Sequence, residues 1–123
     1  MDWNPLFLYN YAAELNYVER YKESLSLTRE CMNSFKDYDV QLLLADNLEH
    51  TSQIREAIIA YRHASDMIPN RVIPLESMMD LYQQSGDTIN ARLIADEILD
   101  KPVKIPSPQV EEIKKKAEEM KDS

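Results

Sequence analysis

Cys31, His50 and His63 are the side chains of this sequence best suited to a transition metal; they are its one cysteine and both its histidines. A zinc site needs three or four such ligands, grouped so that they share a helix face or a tight turn. These three fall on separate helices or turns, with no Cys-x-x-Cys or His-x-x-x-His pair. Cys31 stands where a small core residue is wanted, His50 at a helix end and His63 on an exposed helix face, so no metal is expected. A serine nucleophile would sit in a Gly-x-Ser-x-Gly elbow. Ser85-Gly86 is the nearest approach, and it reads as a helix stop. The carboxylate pairs Glu111/Glu112 and Glu118/Glu119 lie on a solvated terminal helix, whereas acid catalysis calls for a carboxyl buried away from water. No catalytic residue, no cofactor and no enzyme activity are expected of this segment. The chemistry that remains is recognition by Asp, Glu, Asn and Tyr, and it depends on which helices carry those residues.

The chain has 123 residues, 44% of them apolar and 29% charged, enough to build one core. It contains one glycine, which argues against tight β-hairpins and phosphate-binding loops. The formal charge of −8 opposes binding to nucleic acid or to an anionic membrane surface. No apolar run approaches membrane-spanning length, and Met1-Asp2-Trp3-Asn4-Pro5 lacks the basic and apolar regions of a signal peptide.

Helical periodicity runs through nearly the whole chain. Asn4-Pro5 is a helix start, and Leu8, Tyr11, Ala12 and Leu15 then share a face. Asn16-Tyr17-Val18 reads as a turn, followed by a helix with Tyr21, Ser24, Leu25, Thr28 and Cys31 inward and closed by Phe35. A second hairpin has Leu44, Ala45 and Leu48 on its first helix. Thr51-Ser52 is expected to cap the partner helix, which carries Ile54, Ala57, Ile58, Tyr61 and Ala64 and stops before Pro69. A third has Leu75, Met78, Met79 and Tyr82, a stop at Gly86, a cap at Asp87-Thr88, then Ala91, Ile94, Ala95, Ile98 and Leu99. Six methionines could line an adaptable binding surface, but Met78 and Met79 fall on the inner face. The segment from Lys101 to Pro108 is proline-rich and extended, with Val103 and Ile105 as candidates for burial. Ser107-Pro108 restarts a helix with Val110, Ile113, Ala117 and Met120 on one stripe and with Glu111/Lys115 and Glu112/Lys116 as i,i+4 pairs.

The three hairpins repeat at a period of about 34 residues. The best-formed unit, with Leu44, Ala45, Leu48, Ala57, Tyr61, Ala64 and Pro69, resembles the tetratricopeptide repeat family. Tyr11, Ala12, Leu15 and Tyr21 match it in the first unit, and Leu75, Tyr82, Gly86, Ala91 and Ile98 in the third. Ser24, Thr28, Cys31, Thr88 and Ala95 depart from the pattern on the packing side. The resemblance implies an all-α, right-handed helical-hairpin solenoid forming a single domain over residues 1–123. Its repeats would be about 5–37, 38–71 and 72–103, with a capping helix at about 108–121.

A narrower resemblance lies in Ile68-Pro69-Asn70-Arg71 with Pro74-Leu75, Leu81-Tyr82, Gly86-Asp87, and Ile98-Leu99-x-Lys101-Pro102-Val103-Lys104. These motifs are similar to the C-terminal repeat region of O-antigen ligase/polymerase-type membrane proteins from Bacteroides-like bacteria. That resemblance implies a soluble, non-catalytic assembly tail, tethered to the inner membrane by an upstream portion that would hold the polysaccharide chemistry. The alternative is a free-standing cytoplasmic adaptor.

In the tetratricopeptide family, ligands lie against the face lined by the first helix of each hairpin. Carried onto this sequence, that face has Tyr9, Asn10, Ala13, Asn16 and Tyr17 in the first unit. The second supplies Asp39, Leu42, Asp46, Glu49 and His50, and the third Glu76, Asp80 and Gln83. The Lys residues with which family members clamp a peptide carboxylate are missing from these positions. A protein or peptide partner with a basic or hydroxyl-rich segment suits the face. An acidic face that holds only water is the other reading. Trp3, Leu6 and Phe7 form an apolar edge that implies self-association or an upstream repeat.

Overall fold

A computed structural model describes residues 4–103 and 106–122, with the side chain of Pro5 left aside. Seven helices occupy the described residues, and no strand is present among them. They are α1 (Pro5–Tyr17), α2 (Tyr21–Met32), α3 (Tyr38–His50), α4 (Ile54–Met67), α5 (Ile73–Gln84), α6 (Thr88–Asp100) and α7 (Pro108–Asp122). Trp3 and Ile105 lie outside the described residues. The chain divides into two compact units, Met1–Met67 and Ile68–Ser123. In the first, α1 packs on α2, α2 on α3 and α3 on α4; in the second, α6 packs between α5 and α7.

Local chemistry sets most helix ends. The Asn4 side chain accepts from the Leu6 N–H at 2.9 Å, with Pro5 at the first helical position. Asp37 caps α3 through the Val40 N–H, Asp87 caps α6 through Asn90, and Ser107 caps α7 through Val110. Two hydrogen bonds from Asn90, one from its side chain and one from its backbone, hold the Asp87 carboxyl below the usual carboxylate range against the opposing effect of burial. Thr51 behaves otherwise than expected. Its hydroxyl donates back to the Asn47 and Leu48 carbonyls, so it closes α3 rather than opening α4.

All three hairpins turn by the same device. Glu19, Ser52 and Gly86 adopt left-handed φ of 65°, 64° and 79°, about one repeat length apart. In each case the next residue's N–H reaches back to a carbonyl five residues earlier: Arg20 to Leu15 at 2.8 Å, Gln53 to Leu48 at 2.9 Å and Asp87 to Tyr82 at 2.8 Å. This is the Schellman ending of a helix, which satisfies carbonyls that the helix itself leaves open. Only the third turn uses glycine, so only there did the sequence show which residue is left-handed; the first turn was expected at Asn16-Tyr17-Val18 and the second at Thr51-Ser52. The helix α1 consequently runs through Asn16 and Tyr17, which were expected in the turn, and the reversal falls on Val18, Glu19 and Arg20.

The cores follow the predicted stripes with exceptions. Ala12, Ala45, Ala57, Ala64, Ala91, Ala95 and Ala117 are fully buried, which lets neighbouring helices approach closely. Val40, Ala60 and Leu81 join the core although the pattern did not select them. Tyr11, predicted inward, is 47% exposed, and Val103, a candidate for burial, is 43% exposed in the extended segment after α6. Cys31 is buried as expected, and burial pushes its thiol pKa up, with a smaller contribution from Asp37. The pair expected between Glu112 and Lys116 is replaced by a longer reach of Lys116 to α5, described below.

Candidate functional site

In the first unit, a chain of hydrogen bonds joins three helices. Asn16, near the end of α1, donates from Nδ2 to Asp46 Oδ2 at 2.7 Å and to Asn47 Oδ1 at 2.9 Å. Asn47 in turn donates to Ser24 Oγ at 2.8 Å and Thr28 Oγ1 at 3.3 Å on α2. Ser24 closes the chain by donating to the Ala12 carbonyl at 2.6 Å, and Thr28 donates to the Ser24 carbonyl at 2.7 Å. Ser24, Thr28 and Asn47 are all buried. Unmade hydrogen bonds in such a place would cost more than the made ones contribute, so these side chains fix one another's rotamers. Two of the residues that departed from the repeat pattern, Ser24 and Thr28, are therefore partners of Asn47, which the periodicity did not single out.

The outer end of this chain carries charge. Asp46 is half-exposed, and its carboxylate has more acceptor positions than Asn16 uses. His50, one turn on, places Nδ1 at 2.8 Å from the Asp46 carbonyl oxygen and 3.5 Å from its carboxylate. A carbonyl only accepts, so Nδ1 carries the hydrogen. The imidazole stacks on the Tyr21 ring with centroids 4.2 Å apart and planes 11° from parallel. Glu49 accepts from the Tyr61 hydroxyl at 2.9 Å. Desolvation first, and nearby carboxylates second, raise the pKa of two phenols in this region. The Tyr21 pKa is raised first by desolvation and then by Glu19, Asp46 and Glu49. That of Tyr9 is raised by burial and then by Asp39 and Asp37.

The expected face residues thus separate into groups. Asn16, Asp46 and His50 form one cluster, Glu49 is oriented beside it through Tyr61, and Tyr9 lies within electrostatic reach of Asp39. Ala13 and Leu42 are half-buried, Asn10 is exposed, and Tyr17 projects with 88% of its surface free. The arrangement can accept hydrogen bonds from cationic or hydroxyl groups and offer aromatic and aliphatic surface beside them.

In the second unit, Glu76 and Asp80 of α5 do not stand open to a ligand as expected. Lys116 of α7 places its ammonium 2.9 Å from Asp80 Oδ2, 2.8 Å from Asp80 Oδ1 and 3.3 Å from Glu76 Oε2. Burial works to lower the Lys116 pKa, but the hydrogen bond to Asp80 and the charges of Asp80 and Glu76 outweigh it, and the net shift is upward. Lys114 donates to the Leu99 and Lys101 carbonyls at the end of α6, where a cation complements the helix dipole. Gln83 remains exposed. Local pairing rules pointed Lys116 at its own helix, and only the packing of α7 brought it to α5. Among the described residues, no group of three or more His, Cys, Asp or Glu side chains is placed to hold a metal ion.

No family model matches the chain, and no curated protein matches it in sequence. Solved structures do match its fold. The type III secretion chaperone SycD of Yersinia enterocolitica, in complex with a peptide of the translocator YopD, is similar with a TM-score of 0.79 at 16% identity, over 94% of this chain and 87% of that one. PcrH from Pseudomonas aeruginosa gives a TM-score of 0.78 at 14% identity, over 96% and 89%. PcrH in complex with the chaperone binding region of PopD gives 0.73 at 16% identity, over 94% and 86%. The chain has a tetratricopeptide-like helical-hairpin repeat fold. No helix among the described residues is long and apolar enough to cross a membrane.

Proposed function

We propose that this protein is a non-catalytic adaptor that binds an extended segment of a partner protein on the α1–α3 face of its first unit. The observation that carries the reading is the Asn16–Asp46 hydrogen bond of 2.7 Å, backed by the buried Asn47 network. It holds a half-exposed carboxylate in one place, one helical turn from Glu49 and from Leu42 on α3. A pre-oriented acceptor loses little side-chain entropy when a ligand arrives. The carboxylates of Asp39 near Tyr9 and of Asp46 and Glu49 near Tyr21 favour Lys, Arg, Ser or Thr in the bound segment. The neighbours crystallised with a translocator peptide and with a chaperone binding region give the peptide-binding reading its precedent. A tail on a membrane polysaccharide ligase or polymerase rests on the motifs between Ile68 and Lys104 alone. The adaptor reading needs no membrane portion.

The test uses extended synthetic peptides that alternate Leu with Lys, and matched peptides that alternate Leu with Glu. Fluorescence anisotropy should show roughly tenfold tighter binding of the Lys series, a preference that Asp46→Asn reduces. Asparagine retains an oxygen to accept from Asn16, so the cluster's neutral hydrogen bond survives the change. A photoreactive benzoylphenylalanine in place of Tyr17 should capture the Lys peptide, and the same residue in place of Ile59 on α4 should not. Equal capture at both positions, or no preference between the peptide series, would defeat the proposal.

A further inference from the structure

A second surface lies on the first unit, away from the Asn16–Asp46 cluster. Between α1 and α2 runs an open depression of about 420 Å³ lined by Leu8, Tyr11, Leu15, Glu23, Leu27 and Glu30, with Ser26 beside them. Leu8, Tyr11 and Leu15 stand at i, i+3 and i+7 on α1, so they form one apolar wall about two turns long. On α2, Leu27 supplies the opposite wall, and Glu23 and Glu30 flank it at either end. No lysine or arginine lines the depression. Tyr11 is 47% exposed, so the wall of α1 leaves aromatic surface open to water.

We infer that this depression is a docking groove for an amphipathic helix of a partner protein that carries basic residues two turns apart. The argument is charge complementarity joined to helix geometry. Glu23 and Glu30 are seven residues apart on one helix, which sets their carboxylates about 10 Å apart along its axis. A helix lying along α2 would match them with Lys or Arg at i and i+7, and would put apolar residues at i+3 and i+4 over Leu27, Tyr11 and Leu15. Arg20 reaches Glu23 Oε1 at 2.7 Å, but both side chains are more than half exposed, so an incoming cation can share or displace it at small cost. A second copy of this chain would bring Glu23 and Glu30 against themselves, and the formal charge of −8 opposes that pairing further.

The experiment uses the full chain and two designed helical peptides. Both carry the same leucine stripe; one has lysines at i and i+7, the other glutamates. Anisotropy titrations should favour the lysine helix by roughly tenfold at low salt, and a Glu23→Gln/Glu30→Gln double variant should remove the preference. Tyr11→Arg should weaken both helices, whereas Asp46→Asn should affect neither, which separates this groove from the α1–α3 face. Circular dichroism of each variant checks that the fold is retained. Three results would overturn the inference: equal binding of the two helices, binding indifferent to Tyr11→Arg, or sedimentation showing a dimer that Tyr11→Arg disperses. The last would assign the groove to a second copy.

Discussion

The two compact units stabilise their helices by different polar means. In residues 4–67 the buried links are neutral: Ser24, Thr28 and Asn47 join α2 to α3, and Gln41 donates to the Ala60 carbonyl between α3 and α4 at 3.1 Å. The carboxylates of Asp46, Glu49 and Glu56 take part there only in partly exposed links. In residues 68–122 the core is apolar, with Leu75, Met79, Ile94, Ile98 and Ile113 inside. Its polar links are charged and half-exposed: Lys116 to Glu76 and Asp80, and Lys121 to Asp96 at 2.6 Å. A buried neutral network is unscreened and demands full satisfaction, so it sets geometry. Half-exposed ion pairs are screened by salt and contribute little net stability. The first unit therefore holds its surface carboxylate rigidly, and the second keeps its acidic pair neutralised by its own lysine.

The largest expected effect tests the neutral network. Asn47→Ala should lower stability by about 2–4 kcal/mol, from lost hydrogen bonds and a small cavity, and the loss should be nearly independent of salt in chemical denaturation. A loss under about 1 kcal/mol would mean that the network adjusts freely and does not order the α1–α3 face.

The hairpin turns come next. Gly86→Ala should cost about 1 kcal/mol through its left-handed φ alone, because an added Cβ there meets nothing within 4 Å. In the first unit, Ser52→Gly should be neutral or stabilising, because Ser52 already bears the strain that glycine avoids. Thermal melts of both variants check the pair, and equal destabilisation would refute a shared turn device.

The smallest effect concerns the ion pairs. Lys116→Ala should cost about 0.5 kcal/mol at low salt, discounted because the side chain is 41% exposed, and less at high salt. The folded-state pKa of Lys116 is raised, so its contribution is complete below the unfolded lysine pKa and disappears as pH rises through the folded value. Denaturation curves of wild type and variant should therefore differ at neutral pH and converge only as the pH rises past the unfolded lysine value of about 10.4 and through the raised folded value. A salt-independent difference would place this pair with the buried network instead.

Features whose cause is local were legible beforehand. Asn4-Pro5, Gly86 and Ser107-Pro108 mark helix ends because capping acts within about four residues. The alanine and leucine stripes gave the inward faces for the same reason. Ser24 and Thr28 looked like imperfections because their partner, Asn47, is 23 and 19 residues away and no local rule joins them. The turns near Asn16-Tyr17-Val18 and Thr51-Ser52 were legible, but Glu19 and Ser52 as their left-handed residues were not, since side chains of their type rarely enter that region.

The sequence by itself determined the helices, their pairing into hairpins and the acidic character of the first helix of the second and third hairpins. Periodicity and capping are properties of short stretches, and net charge needs no fold at all. Tertiary structure decided which carboxylates remain available. It gave Glu76 and Asp80 to Lys116 across 40 and 36 residues, and it fixed Asp46 through Asn16 across 30. A side chain's partners depend on which helices pack together, and the spacing of residues along one helix cannot encode that.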